Sequence, residues 1–159
     1  LKDITDFTKK NNIHKPLALK VSPDIAGSEI GSIIDSIKRF KISAIIISNT
    51  TDKNRENLIG THKSEKGGLS GKPLNKISND LIKKFYRETK GDIIIIGVGG
   101  ISSGLTAYEK LKSGANLLQL YTGMVYEGPG IVKKIKGELI DILKKEKIKN
   151  VSEIVGTGS

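Results

Sequence analysis

The chain has 159 residues, 36% hydrophobic side chains and a formal net charge of +10. This is an ordinary globular composition, which excludes a disordered tail. No run of about 18 apolar residues marks a spanning helix, and no signal-peptide pattern opens the chain. The absence of cysteine excludes disulfides, thiolate nucleophiles, thiolate zinc sites and iron–sulfur ligands.

In chain order, Ile4 and Phe7 predict the end of a first helix, broken at Asn11–Asn12. Leu17–Val21 then reads as a short buried strand. Ile30, Ile33, Ile34 and Ile37 fall at helical spacing and place one apolar stripe on a helix ending near Phe40. Ala44–Ser48 is the second strand, followed by a long polar stretch from Thr51 to Asn75. Leu81, Ile82 and Phe85 mark a second striped helix with Ser78 as its N-cap. Ile93–Val98 is the third strand. Leu105, Tyr108 and Leu111 mark a helix closed by Gly114, Leu117–Tyr121 a fourth strand, and Ile131, Ile135, Leu139 and Leu143 a last helix.

Strand–helix alternation of this kind predicts an α/β chain with parallel strands and right-handed crossovers. Two architectures compete: a small doubly wound sheet, or four units of an eight-stranded (β/α)8 barrel, which needs about 250 residues when complete. Length alone argues for one domain. The chain opens on Leu1 and its single methionine is Met124, so a preceding segment is expected.

The charge first suggests nucleic acid. However, 24 of the 27 basic residues are lysines, isoleucine is equally abundant at 25, and aromatics amount to 4%. Specific nucleic-acid sites favour arginine and stacking rings. Pairs such as Lys83–Lys84, Lys133–Lys134 and Lys144–Lys145 read as solvated helix faces, and no nucleic-acid partner is expected.

In either architecture the ligand face lies beyond the C-terminal strand ends. Lys20 sits inside the apolar first strand, where an amine is costly unless it meets an anion or snorkels from an edge strand. Ser48-Asn49-Thr50-Thr51 offers uncharged polar groups for a planar ligand or for a turn. Gly97-Val98-Gly99-Gly100-Ile101-Ser102-Ser103-Gly104 opens into a helix, as a phosphate cradle does. Ser102 stands where a dinucleotide fingerprint needs glycine, and no acidic residue follows at the required distance. Tyr121-Thr122-Gly123 repeats the small, amide-rich pattern after the next strand. Gly67-Gly68-Leu69-Ser70-Gly71-Lys72-Pro73 is one residue short of a Walker loop and has proline where the metal-binding hydroxyl belongs, so ATP is disfavoured. His14 and His62 lack metal-ligand or base patterning, and no metal site is expected.

These five strand-end motifs, in this order, resemble the C-terminal half of class 2, quinone-dependent dihydroorotate dehydrogenases. The resemblance covers nearly the whole chain. It implies part of a (β/α)8 barrel over residues 1–159, a partial FMN-binding domain without its N-terminal half. It also implies oxidation of dihydroorotate to orotate in pyrimidine synthesis, with a quinone as electron acceptor.

Carried over by position, Lys20 would meet the flavin ring, where a fixed cation stabilises the reduced, anionic form. Ser48 would also touch the flavin, and Asn49 and Thr50 would bind orotate. Ser70, Gly71, Gly99, Gly100, Tyr121 and Thr122 would hold the ribityl phosphate. The family's serine base and the quinone-channel helices lie upstream of the lysine strand, so no catalytic base is expected here and the chain alone should be inactive. Localisation would be peripheral, on the cytoplasmic face of a bacterial inner membrane or on the mitochondrial inner membrane, with no anchor in these residues. The N-terminal half or self-association would cover the open strand edges. Another FMN-dependent barrel oxidoreductase and a non-catalytic phosphate-binding half-barrel are the alternatives.

Overall fold

Runs of isoleucine form the centre of the molecule, because β-branched side chains favour extended backbone and pack on both faces of a covered sheet. The computed structural model describes residues 1–53, 55–56 and 58–159. Asn54 and Asn57, in the long polar stretch, lie outside the described residues.

Helix α1 (Lys2–Lys10) precedes strand β1 (Ala18–Val21), a short 3-10 turn (Gly27–Glu29) and helix α2 (Ile30–Arg39). Strand β2 (Ala44–Ile47) leads through the long stretch to helix α3 (Leu74–Thr89) and strand β3 (Ile94–Val98). Helix α4 (Gly104–Lys112), strand β4 (Leu117–Gln119), helix α5 (Thr122–Glu127) and helix α6 (Ile131–Lys145) follow, with a 3-10 turn at Val151–Ile154.

The four strands lie in the order β1-β2-β3-β4, and each neighbouring pair is parallel. Strand order therefore follows chain order without reversal. A doubly wound sheet reverses at a switch point and covers both faces. Here Val21, Ile45, Ile47 and Ile95 on one face pack with Ile34 and Ile37 of α2 and with Ile82 and Phe85 of α3. The opposite face carries the register row Lys20–Ile46–Ile96–Leu117 and stays partly open, with Ile94 49% and Leu117 57% exposed. Sequential parallel strands with helices on one face form a barrel segment, and the doubly wound alternative is set aside.

Several sequence expectations shift in detail. Ser78 does not cap α3, which begins four residues earlier behind Pro73, a residue preorganised for a helix start. Ser78 is instead fully buried. Leu105 is 57% exposed, so the core stripe of α4 runs through Ala107, Tyr108 and Leu111. The fourth strand ends at Gln119, and Tyr121 is 78% exposed. Helix α5 has no counterpart in the sequence reading. Asn11–Asn12 does end α1, and Gly114 at φ +116° does close α4, bonded from its N–H to the Leu111 carbonyl.

Helices α4 and α6 pack together around Tyr108, Leu111, Leu139 and Leu143. The Tyr108 hydroxyl donates to the Glu146 carboxylate. That hydrogen bond, then burial, then the carboxylate charge push the phenol up to about 12 from its ordinary 10.0. The folded state thus holds this proton more tightly than the unfolded chain. Urea unfolding across pH should show this contribution intact below pH 10 and draining away as pH rises toward about 12. Glu146→Gln should flatten that part of the profile; an unchanged profile would contradict the assignment.

Candidate functional site: a cleft at the C-terminal edge of the sheet

Parallel pairing delivers the four strand ends to one edge, where the following loops enclose a cleft of about 710 Å³. That volume is in the range of small-molecule and cofactor sites. All ten site residues expected from the sequence line it: Lys20, Ser48, Asn49, Thr50, Ser70, Gly71, Gly99, Gly100, Tyr121 and Thr122. Gly68, Leu69, Lys72, Leu74, Leu120 and Tyr126 add to its wall.

Lys20 stands on an edge strand and is exposed, so its amine avoids the desolvation penalty of an apolar interior while still lining the cleft. Beside it, Ser48 is buried, and the Asn49 N–H donates to the Val21 carbonyl at 2.8 Å, tying the loop after β2 to the end of β1. Asp24 strengthens the same tie. Its carboxylate accepts the Thr51 hydroxyl at 2.5 Å and the Asp52 N–H at 2.9 Å. Thr51 and Leu69 then exchange two backbone bonds, 3.2 and 2.7 Å long, which bring the two ends of the polar stretch together. Gly68 is required there: a Cβ would lie 1.9 Å from the Thr50 hydroxyl oxygen.

The phosphate-cradle expectation needs one correction. At the N-terminus of α4 the N–H groups of Gly104, Thr106 and Ala107 already have protein partners. Ser103 accepts from the Thr106 N–H, Thr106 Oγ1 accepts from the N–H groups of Ser102 and Ser103, and the Glu138 carboxylate accepts from Gly104 N–H at 2.6 Å. The groups left to face a ligand belong to the turn before the helix. Gly99 and Gly100 have φ of +111° and +70°, and a Cβ at Gly100 would lie 2.5 Å from Asn75 Cβ and 2.8 Å from its backbone nitrogen. Only glycine meets both demands. Across the cleft, the Thr122 hydroxyl donates to Ser70 Oγ at 3.1 Å, and Gly71, at φ +78°, lies against the Thr122 methyl.

Charge in the cleft favours an anion. Lys20 and Lys72 line it, and its carboxylate, Glu127, is paired with Lys134 at 2.9 Å. Among the described residues no cluster of three or more His, Cys, Asp or Glu side chains could hold a metal ion. His14 and His62 are exposed, with Asn12 and Glu65 as their partners. The cleft therefore offers bare amides, hydroxyls and two cations, a donor set suited to a phosphorylated, planar ligand.

Four residues behind the cleft were not marked by the sequence. Asp24 carried no assigned role, though an acid in a turn next to polar loops is a readable signal. Asn75 and Asn79, four apart on α3, and Lys110, in the lysine-rich run of α4, look like solvent-facing residues until the packing is seen.

A family model described as dihydroorotate dehydrogenase matches residues 1–143. The chain belongs to the dihydroorotate dehydrogenase family. It is similar to the dihydroorotate dehydrogenase (quinone) of Trichodesmium erythraeum, 47% identical over 156 residues, covering 93% of this chain and 41% of that protein. The mitochondrial quinone enzyme of Kluyveromyces lactis is 46% identical over 148 residues, covering 90% of this chain and 33% of its own length. A crystal structure of the Eimeria tenella enzyme in complex with ferulenol superposes with a TM-score of 0.85 at 37% identity, covering 89% of this chain and 38% of that one. The four strands thus match part of the family's barrel, and the chain spans about two-fifths of the Trichodesmium relative's length. Among the described residues, no helix is long and apolar enough to cross a membrane.

Gly100→Ala should destabilise the fold by about 1–3 kcal/mol, from positive φ and overlap with Asn75 together. Chemical denaturation measures this, and a variant of unchanged stability would contradict the strained turn.

Proposed function

We propose that residues 1–159 form the cofactor-phosphate and substrate-amide side of a quinone-dependent dihydroorotate dehydrogenase, which oxidises dihydroorotate to orotate in pyrimidine synthesis. The observation that carries this reading is the convergence of the ten residues carried over from the family resemblance on one cleft, in a chain of that family.

FMN, when bound, supplies the two-electron redox chemistry between dihydroorotate and a quinone. The residues present fit it: glycine turns a Cβ would fill, hydroxyls on facing loops, and a cation on the first strand. Gly99, Gly100, Ser70, Gly71, Tyr121 and Thr122 hold the phosphate end. Lys20 lies in one register row with Ile46 and Ile96, on the open face of the sheet. There it favours negative charge on the ring, and Ser48 borders the same ring.

Asn49 and Thr50 orient the planar substrate by hydrogen bonds from side chains held in place by the Val21 and Asp24 ties. In this reading no serine of residues 1–159 is the catalytic base, so the base is supplied from elsewhere in the barrel and the 159 residues alone do not turn over substrate. The remaining strands of the barrel cover Ile94 and Leu117 and pair with β1 and β4. Quinone access places the enzyme peripherally on a membrane.

The test joins this chain to the N-terminal part of its Trichodesmium relative. The joined protein should be yellow and oxidise dihydroorotate with a quinone. A double variant, Asn49→Ala with Thr50→Ala, should keep the flavin absorbance while losing about 100-fold or more in turnover, because the side chains that hydrogen-bond the substrate are removed. A colourless protein, or a double variant as fast as its parent, would overturn the reading.

A further inference from the structure

Lys110 is a lysine with no exposed surface in a chain whose other paired lysines lie on helix faces. Its stem crosses behind β3, where a Cβ on Gly97 would lie 2.8 Å from both Lys110 Cγ and Cδ. Glycine at position 97 therefore leaves the passage this side chain occupies. The amine then reaches α3, donating to Asn79 Oδ1 at 2.6 Å and to Ser78 Oγ at 3.1 Å. No carboxylate shares these bonds. Burial pushes the amine down to about 7 from 10.5, with Glu109 on the same helix opposing the shift.

Both partners pass the connection on to the same turn. The Ser78 hydroxyl donates to the Val98 carbonyl at 2.6 Å, with the Ile47 carbonyl at 3.3 Å. Asn79 Nδ2 donates to Asn75 Oδ1 at 3.4 Å, and Asn75 Nδ2 donates to the Gly100 carbonyl at 3.3 Å. The two arms end on the carbonyls that flank Gly99. Nζ donates to both Ser78 and Asn79, and in its ammonium form the lysine can only donate, which sets the direction of both chains. Ser78 and Asn79 accept from it, and their hydrogens point onward to the turn.

In a trans peptide the carbonyl and the next N–H point to opposite sides. Holding the Val98 and Gly100 carbonyls toward α3 turns the N–H groups of Gly99 and Ile101 the other way.

We propose that Lys110 is a positioning residue for the glycine turn at 99–100. Its buried amine, acting through Ser78 and through Asn79–Asn75, fixes two turn carbonyls and so presents the turn's amides to a ligand phosphate. The assignment rests on reading the cleft as a flavin-phosphate site. It adds to that reading a residue that touches neither cofactor nor substrate.

The test compares the joined protein with its Lys110→Met variant, which keeps the stem and removes the donor, and with Asn79→Ala, which cuts one arm at a half-buried position and leaves Lys110 in place. Lys84→Met, at an exposed position on α3, is the control. Fluorescence titration with FMN and with riboflavin, which lacks the phosphate, is paired with 1H–15N spectra of the free proteins. Lys110→Met should weaken FMN about tenfold, the scale of one lost charge-assisted bond, leave riboflavin affinity unchanged, and move the Gly99 and Ile101 amide resonances. Asn79→Ala should move the Ile101 resonance and weaken FMN by a smaller factor, so it decides the matter should Lys110→Met fail to fold. Unmoved Gly99 and Ile101 resonances, or equal losses for FMN and riboflavin, would overturn the proposal. A joined protein that ignores FMN, combined with shifted Gly99 or Ile101 resonances in Lys110→Met, would defeat the flavin reading and leave the positioning assignment standing.

Discussion

Parallel pairing of β1 to β4 in chain order is the constraint from which the rest of the molecule follows. It carries every strand end to one edge, so loops far apart in sequence meet around one cleft. It also requires a crossover helix after each strand, and those helices pack on one face against the isoleucine rows. The opposite face then holds Lys20 in register with Ile46, Ile96 and Leu117, a cation bordered by apolar side chains. A one-residue slip of β1 would move Lys20 to the covered face and strand its amine among α2 and α3.

Short polar connections tie down the loops around the cleft. Asp24 fastens the loop after β2, Glu138 and Thr106 close the start of α4, and Asn75 holds the Gly100 carbonyl. Each connection removes a backbone group from competition for a ligand. What stays available is the set of amides and hydroxyls at Gly99–Gly100, Ser70–Gly71 and Tyr121–Thr122. With most of the helix start occupied, the groups open to an anion are those of the turn. Preorganisation of this kind lowers the ordering cost when a ligand binds.

Strand positions and the four long helix stripes were legible in the sequence because each follows from period and branching: Ile30, Ile34 and Ile37 could bury only on a helix, and Ile45, Ile47 and Ile95 only on strands. The cleft was legible because glycines at 99 and 100 and hydroxyls at 48, 50, 70 and 122 are defined by what they lack. Other features depend on tertiary contacts that leave no local mark. Pro73 starts α3 where Ser78 had the more familiar capping side chain, and Ser78 is drawn inward by the Val98 carbonyl. Lys110 reads as one more surface lysine because its burial depends on the missing side chain of Gly97, thirteen positions away in sequence. Leu105 was assigned inward by spacing, although Ala107 takes the buried position on that turn.

A crystal structure of the joined protein soaked with FMN locates both the phosphate and the ring. The phosphate should lie on the amides of Gly99–Gly100 and Tyr121–Thr122, with the ring system extending past Ser48 to the Lys20 amine. A phosphate bound elsewhere, or a ring lying away from Lys20 with the glycine turn untouched, would contradict this placement.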